Sequence, residues 1–236
     1  MIAEPHTAPA WRPSEVWIVV PCHDEGPVIG EVVRELLELF PQVVAIDDGS
    51  TDDTYAQLLA TGATVIRHPI NLGQGAALRT GFDYARNRGA RYLVSFDGDG
   101  QHRVADAVAL VDRLVESGAD VALGSRFLDR RTHMPAARRR LLRAAVWFTR
   151  RVSGLPLTDA HNGLRAFRRE TITLLDLSQP RMAHASEILH GIARHRLRWV
   201  EVPVDIAYTD RSRAKGQVAL DAINVLVDLF VRRYLR

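Results

Sequence analysis

Short apolar runs alternate with segments of helical periodicity over the first 125 residues, and this alternation constrains the fold more than any other feature. The runs cover 16–20, 43–46, 64–67, 92–96 and 120–123, and the helical segments cover 28–40, 54–60, 75–88 and 104–116. Strands that alternate with helices in this way form βαβ units, in which the strands lie parallel. The sequence therefore predicts an α/β fold with a mostly parallel central sheet flanked by helices.

The chain after residue 125 is less regular, but it shows the same kinds of element. We predict helices over 136–152, 170–177, 185–195 and 218–235, and strands near 164–167 and 199–202. No internal repeat or low-complexity linker separates the two halves. We therefore expect a single domain over 14–236, with residues 1–13 as a flexible tail and a boundary between two functional halves near residue 125.

Cysteine content and hydropathy restrict the compartment. Cys22 is the only cysteine among 236 residues, so an internal disulfide is excluded and a reducing compartment is favoured. Residues 1–13 lack the apolar core of a signal peptide, and no run of about 18 uncharged apolar residues occurs. We expect a cytoplasmic protein without a membrane-spanning helix.

Charge is divided unequally between the two halves. Residues 1–125 contain 9 Arg against 18 Asp and Glu, whereas residues 126–236 contain 21 Arg and one Lys against 10 acidic residues. This division predicts a cation in the first half and an anion or an anionic membrane in the second. Codon bias towards arginine is an alternative explanation for the total number of arginines. Nucleic-acid binding is disfavoured despite the pI near 9.4, because the acidic half faces the expected ligand.

Asp97-Gly98-Asp99 directly follows a predicted strand, where the chain leaves the sheet. Two carboxylates at this spacing can converge on one Mg²⁺ or Mn²⁺, because hard cations prefer oxygen ligands and keep open positions for phosphates. Gly98 lets a phosphate approach the backbone closely. A simple turn is the alternative. An EF-hand loop is excluded, since Gln101 and His102 stand where it needs Asp or Asn and then Gly.

Two further polar segments follow predicted strands. Residues 47–54 contain four aspartates and three hydroxyl residues, more than one helix cap needs, so we expect Asp47 or Asp48 to contact a nucleobase or ribose. Capping alone is the alternative. Residues 71–77 form a glycine-rich turn that would bring Gly75 close to a phosphate. The turn is a weak dinucleotide fingerprint, because Leu78 stands where a third glycine is needed, and a plain loop is its alternative.

Together with residues 21–25 and 124–126, these segments resemble the family 2 glycosyltransferases in order and spacing. The resemblance implies the GT-A fold, a Rossmann-like nucleotide-binding α/β sheet, with C-terminal amphipathic helices. Residues 158–165 and 201–204 resemble the polyprenol-phosphate sugar synthases. A nucleotidyltransferase is disfavoured, because its glycine-rich loop normally follows the first strand.

The resemblance also assigns roles in the first half, which would hold the nucleoside-diphosphate sugar. The nucleotide-binding residues would be Pro21, His23, Glu25, Asp47, Asp48, Gly75, Asp97 and Gly98, with Glu25 and Asp48 on the nucleoside. Mg²⁺ or Mn²⁺ would be held by Asp97, Asp99 and Gln101. A metal-bound diphosphate is a better leaving group, because its developing negative charge is neutralised.

In the second half, the predicted roles depend on the acceptor. A polyprenyl phosphate arrives mostly ionised, so it needs cations but no base. The candidates are Arg126 and Arg165, together with Arg211 and Lys215 in a segment that departs from the usual motif of the related synthases. A hydroxyl acceptor would need a general base, for which Asp159 and Glu187 are the candidates. Glu187 has a plain alternative as an exposed acid on an amphipathic helix.

Two predicted helices point to a membrane. The helix over 136–152 has an apolar side opposite a cluster of arginines that includes Trp147, which favours contact with anionic headgroups, although a solvated surface is the alternative. The helix over 218–235 is broadly apolar, which predicts a homodimer contact or a membrane-protein partner, with burial in the chain's own core as the alternative.

The resemblance and these patterns predict an inverting glycosyltransferase at the inner face of the membrane, acting on a polyprenyl phosphate. The alternatives are transfer to a hydroxyl of a growing cell-envelope glycan, and a non-catalytic nucleotide-sugar-binding subunit of a membrane partner. The intact pair Asp97 and Asp99 argues against a non-catalytic role.

Overall fold

The computed structural model describes residues 10–129, 136–160, 162–175 and 184–207. Within them, the strands are β1 (Val16–Cys22), β2 (Val43–Asp47), β3 (Thr64–Arg67), β4 (Tyr92–Ser95), β5 (Val121–Ser125), β6 (Arg165–Arg168) and β7 (Trp199–Pro203). The helices are α1 (Gly26–Leu39), α2 (Thr54–Leu59), α3 (Gln74–Asn87), α4 (Val104–Glu116), α5 (Ala136–Ser153), α6 (Arg169–Leu174) and α7 (His184–Arg194), and a 3₁₀ turn spans Pro13–Glu15.

In the described residues, seven strands form one sheet in the order β3-β2-β1-β4-β6-β5-β7. Every neighbouring pair is parallel except those of β6, which lies antiparallel between β4 and β5. The predicted α/β fold with a mostly parallel sheet is confirmed. Because β1, β2, β4 and β5 are parallel, their carboxyl ends lie at one edge of the sheet, where ligands bind in folds of this kind.

Helices cover both faces of the sheet. Consecutive side chains of a strand point to opposite faces. Ile18 of β1 therefore joins the core with α1 and α4, whereas Val19 joins the core with α3, α5 and α7. All seven residues of β1 are buried, which explains why this strand is a continuous apolar run in the sequence.

Strand β1 extends to Cys22, beyond the end predicted at residue 20, even though it includes Pro21. Ile18 N–H and Cys22 C=O bond towards β2, and Val19 C=O accepts from Phe96 on the β4 side. The nitrogen of Pro21 therefore faces the β4 side, beyond the last paired residues of those two strands. Since no strand partner is needed there, the missing N–H of proline costs nothing.

The packed part of the chain begins before residue 14. Trp11 is buried, stacks on Phe40 at 6.1 Å and donates its indole N–H to Asp112 Oδ1 at 2.7 Å. The fold therefore includes part of the segment predicted as a tail. The predicted helix over 218–235 lies outside the described residues, and no helix in the described ranges is long and apolar enough to cross a membrane.

Candidate active site

The site is built where β1, β2 and β4 end. Phe96 N–H bonds to Val19 C=O, and Asp48 N–H bonds to Cys22 C=O, so the polar segments after the three strands begin side by side. Residues 21–25, 47–54 and 97–99, the polar segments that follow these strands in the sequence, therefore begin at one edge of the sheet. Residues 71–77, which lead into α3, also reach the site, because the side chain of Gln74 contacts Asp97.

The two aspartates after β4 have different surroundings. Asp97 Oδ1 accepts from Gln74 Nε2 at 2.8 Å, and Oδ2 lies 3.1 Å from His102 Nε2. Asp99 accepts from the Gln101 backbone N–H at 3.0 Å and from its side-chain amide at 2.6 Å. Burial, with the negative charge of Asp97, raises the pKa of Asp99 to about 6. Two carboxylates held close in a half-buried site destabilise each other, and a bound cation would relieve this repulsion.

The donor set fits a hard divalent cation. Asp97 and Asp99 bring carboxylate oxygens to one place, and these are the ligands that Mg²⁺ and Mn²⁺ prefer. The Gln101 side chain lies against this pair, with its amide nitrogen on Asp99 Oδ2. Among the described residues, no group of three or more His, Cys, Asp or Glu side chains could hold a metal ion. A cation held by Asp97 and Asp99 would keep coordination positions for substrate oxygens and water, because Mg²⁺ and Mn²⁺ take more ligands than two carboxylates supply.

Two glycines allow close approach around Asp97. A Cβ on Gly163 would lie 2.0 Å from Asp97 Oδ2, so only glycine fits where the 162–165 segment passes over this carboxylate. The carbonyl of Gly163 accepts from Ser95 Oγ at 2.6 Å, which fixes the segment to β4. A Cβ on Gly98 would lie 2.8 Å from Ile29 Cδ1, so Gly98 packs against α1. The sequence predicted no role for Gly163, although the glycine stands inside one of the motifs.

Residues 21–25 and residues 47–54 are joined by hydrogen bonds. Asp24, in the left-handed region at φ 54°, accepts from Thr51 N–H at 2.9 Å, which lowers the pKa of its carboxyl. Ser50 Oγ accepts from Asp24 N–H at 3.0 Å, and Thr54 Oγ1 accepts from Glu25 N–H at 2.8 Å. Much of the polar excess in residues 47–54 therefore serves this contact. His23 and Glu25 are half-buried at the same edge.

Asp47 and Asp48 are both buried, and both are engaged by the protein. Asp47 Oδ1 accepts from Ser50 N–H at 3.1 Å, and its Oδ2 lies 3.0 Å from Arg67 Nε. Asp48 accepts from His68 Nδ1 and from the backbone N–H groups of Leu72 and Gly73, at 2.7 to 3.0 Å. The sequence predicted a nucleoside contact here, and the structure adds a contact with the turn before α3.

On the acceptor side, two predicted residues neutralise each other. Arg126 Nε donates to Asp159 Oδ2 at 2.6 Å, and its backbone N–H donates to the same oxygen at 3.2 Å. Both side chains are less than 10% exposed. The backbone of Thr158 and of Asp159 is fixed in turn by Glu201 Oε1, at 2.7 and 3.1 Å.

Arg165 lies beneath this edge and is 4% exposed. Its Nε donates to the Asn162 carbonyl at 2.9 Å, and its positive charge is close enough to Asp97 and Asp159 to interact with both. Burial lowers the pKa of Arg165 to about 10, and the two carboxylates oppose that shift. This buried cation offsets the negative charge of both aspartates.

The remaining predicted site residues lie on α3 and α7 or outside the described residues. Glu187 is half-buried in the first turn of α7, a helix that packs against α3 and α5. Arg211 and Lys215 lie outside the described residues. Gly75 is buried in the first turn of α3, directly after Gln74.

Comparison with known proteins agrees with this architecture. The chain is 34% identical to the polyprenol monophosphomannose synthase of Mycolicibacterium smegmatis over 178 residues, covering 71% of this chain and 67% of that protein. It is 27% identical to the UDP-N-acetylglucosamine–dolichyl-phosphate N-acetylglucosaminyltransferase of Methanococcus voltae, covering 85% and 89%. The fold matches glucosyl-3-phosphoglycerate synthase from Mycobacterium tuberculosis, solved with Mn²⁺, UDP and glucosyl-3-phosphoglycerate, with a TM-score of 0.66 at 21% identity, covering 94% and 85%.

The fold is the one seen in glucosyl-3-phosphoglycerate synthase, and one of the relatives in sequence is named as a sugar transferase. Residues 17–174 match the family described as Glycosyl transferase family 2. This match covers more than half of the chain, which therefore belongs to that family of glycosyltransferases.

Proposed function

We propose that this glycosyltransferase moves a sugar, with inversion, from a nucleoside diphosphate to a polyprenyl phosphate at the cytoplasmic face of a membrane. The observation that carries the proposal is the Asp97 and Asp99 pair after β4, held beside a polar edge that can receive a diphosphate. The names of two relatives support the acceptor, since one acts on dolichyl phosphate and the other is a polyprenol monophosphomannose synthase.

Asp97, Asp99 and Gln101 would hold Mg²⁺ or Mn²⁺. When bound, the cation supplies positive charge that stabilises the leaving diphosphate. The protein holds the two carboxylates together, which repel each other. The positive charge of Arg165 interacts favourably with Asp97 and so reduces the electrostatic cost of this arrangement. The edge formed by residues 21–25 and 47–54 would receive the nucleoside.

The contacts of Asp159 with Arg126 favour a phosphate over a hydroxyl as the acceptor. A general base needs a free lone pair within reach of the proton that it removes. Asp159 is instead buried, and both the side-chain Nε and the backbone N–H of Arg126 donate to its Oδ2, at 2.6 and 3.2 Å. An ionised phosphate needs no base, and the arginines of the second half favour its approach electrostatically.

Helix α5 would place this edge on an anionic membrane surface. Leu142, Ala145, Val146 and Thr149 are buried, whereas Arg139, Arg140, Arg143, Arg150 and Arg151 are exposed. Trp147 is 61% exposed, and the Arg151 guanidinium lies 5.4 Å from the centre of its ring. The helix contains no acidic residue. An exposed tryptophan among arginines suits the interface between headgroups and acyl chains.

Calorimetry of nucleotide binding tests the donor half. UDP, GDP, dTDP and CDP are each titrated with and without Mn²⁺, on the wild type, on Asp99→Ala and on Asp83→Ala. Asp83 is a partly exposed acid on α3 that pairs with Arg79 and Arg86, so its variant controls for the loss of one carboxylate. We expect one nucleotide to bind tightly, and this binding to disappear without Mn²⁺ or with Asp99→Ala alone. Failure of all four nucleotides to bind would overturn the proposal.

A further inference from the structure

We propose that Gln74 is a positioning residue for the carboxylate of Asp97, and that the buried pair Asp48 and His68 holds Gln74 in place. This inference rests on the proposed function, because it takes Asp97 as a cation ligand. Residues 47–54 would then have a second role besides nucleoside binding. Through Asp48 they would hold the turn before α3, and through that turn they would set the geometry of the cation site.

The contact between Gln74 and Asp97 is direct. Gln74 Nε2 donates to Asp97 Oδ1 at 2.8 Å, while Oδ2 lies 3.1 Å from His102 Nε2. The two carboxylate oxygens are therefore contacted by side chains from two different segments, which sets the direction of the carboxylate. Hydrogen bonds of this kind fix the direction in which a ligand oxygen points, and removing one typically weakens metal binding by roughly 10- to 100-fold.

The position of Gln74 is set by the turn that precedes it. Gln74 is the first residue of α3, and Gly73 before it has φ 95°, a conformation that favours glycine. Asp48 Oδ2 accepts from Gly73 N–H at 2.7 Å, and Oδ1 accepts from Leu72 N–H at 3.0 Å. A carboxylate at the end of β2 thus holds the two residues that precede Gln74.

His68 fixes Asp48 in turn and joins it to α3. Its Nδ1 lies 2.7 Å from Asp48 Oδ1, and its Nε2 lies 3.0 Å from Thr80 Oγ1. Asp48 and His68 are 3% and 7% exposed, so solvent does not compete with these contacts. The pair therefore connects both the turn before α3 and the second turn of that helix to the sheet.

This arrangement predicts coupling between two residues that do not touch. If Asp48 acts through Gln74, removing either should weaken cation binding, and removing both should do no further harm. If Asp48 acts separately, through a nucleoside, the two losses should be independent. A double-mutant cycle separates these cases.

The cycle uses Gln74→Met, Asp48→Asn and the double variant, with Mn²⁺ alone as the probe and electron paramagnetic resonance as the readout. We expect Gln74→Met to weaken Mn²⁺ binding about 10-fold or more and to change the spectrum of the bound ion. Asp48→Asn should also weaken Mn²⁺ binding. The double variant should have the same Mn²⁺ affinity as the single variant that binds Mn²⁺ less tightly. The matched control is Gln42→Met, which makes the same change at the opposite edge of the sheet, just before β2.

Thermal unfolding identifies any variant that does not fold. If Asp48→Asn fails to fold, the comparison of Gln74→Met with Gln42→Met decides the matter alone. Equal Mn²⁺ affinity in Gln74→Met and the wild type, or additive losses in the cycle, would overturn the inference. If the wild type binds no Mn²⁺, even with the four nucleotides present, the proposed function fails as well, which distinguishes the two failures.

Discussion

Arg126 and Asp159 form a buried ion pair, with 2.6 Å between Nε and Oδ2, directly after β5 at the edge of the sheet. This pair joins the end of β5 to the segment that leads back to β6. It also occupies a carboxylate that would otherwise be the obvious base for a hydroxyl acceptor. The contact is therefore informative about both the stability of the fold and the class of acceptor.

Replacing Asp159 by Asn should affect stability far more than chemistry. The change leaves Arg126 buried without its counterion, and breaking a buried pair in this way costs about 3–5 kcal/mol. Asp83→Asn is the control, because Arg79 is exposed and Arg86 is only half-buried, and we expect a change of about 1 kcal/mol or less. Urea denaturation measures both variants.

The kinetics of Asp159→Asn complete this test. A general base contributes roughly 10²- to 10⁴-fold to turnover. For the fraction of Asp159→Asn that is folded, we expect kcat to fall less than 10-fold and its pH profile to keep its shape. A loss of 100-fold or more in kcat, with stability unchanged, would show that Asp159 is a base and that a hydroxyl is the acceptor.

Gly163→Ala tests the packing of the backbone on the metal-binding carboxylate. The added methyl would lie 2.0 Å from Asp97 Oδ2, so Asp97 must move. We expect Mn²⁺ affinity, measured by calorimetry with the bound nucleotide, to fall about 10-fold or more, since displaced ligands bind metal poorly.

Gly30→Ala is the matched control for this substitution. Its methyl would meet the flexible end of Arg34 at 3.0 Å within α1, and alanine favours a helix by about 1 kcal/mol over glycine. We expect unchanged metal affinity in Gly30→Ala. Equal Mn²⁺ affinity in both alanine variants would contradict the account of Gly163.

The sequence predicted most of the fold because buried strands and amphipathic helices have distinct periodicities. The strand at Thr64–Arg67 and the helix at Val104–Glu116 have the predicted bounds. The apolar pattern of the sequence near residues 164–167 could not show that β6 lies antiparallel between β4 and β5, because the direction of a strand depends on the path of the connecting chain. On α5, Val146 is buried and Val152 is 44% exposed, and periodicity alone does not show which apolar residues of a helix pack on the sheet.

The site was predictable in part, for a related reason. Asp97 and Asp99 stand together because both follow one strand, which local spacing reveals. The contacts of Asp48 with Gly73 and of Asp159 with Arg126 join segments 25 and 33 residues apart. Residue types alone do not show such pairings, so the same carboxylates appeared available for ligands.

The exposed face of α5 should bind anionic membranes. We expect the wild type to sediment with vesicles of phosphatidylglycerol and phosphatidylcholine, but not with phosphatidylcholine alone, and Trp147 fluorescence to shift to the blue. Arg143→Glu in α5 should weaken binding about 10-fold, from a charge change of two near the surface. Arg113→Glu makes the same change on α4, which covers the other face of the sheet, and should bind as the wild type does. Equal weakening by both variants would show that total charge, and not this face, controls the interaction.

The most direct test of the proposed function is a transfer assay with two matched acceptors. Radiolabelled UDP-glucose, UDP-N-acetylglucosamine and GDP-mannose are each incubated with Mn²⁺ and either undecaprenyl phosphate or undecaprenol, and the lipids are extracted and separated. The account predicts that one donor labels the lipid only when the acceptor carries a phosphate, and that Asp99→Asn abolishes the product. Transfer to undecaprenol, or no labelled lipid from any donor, would contradict it.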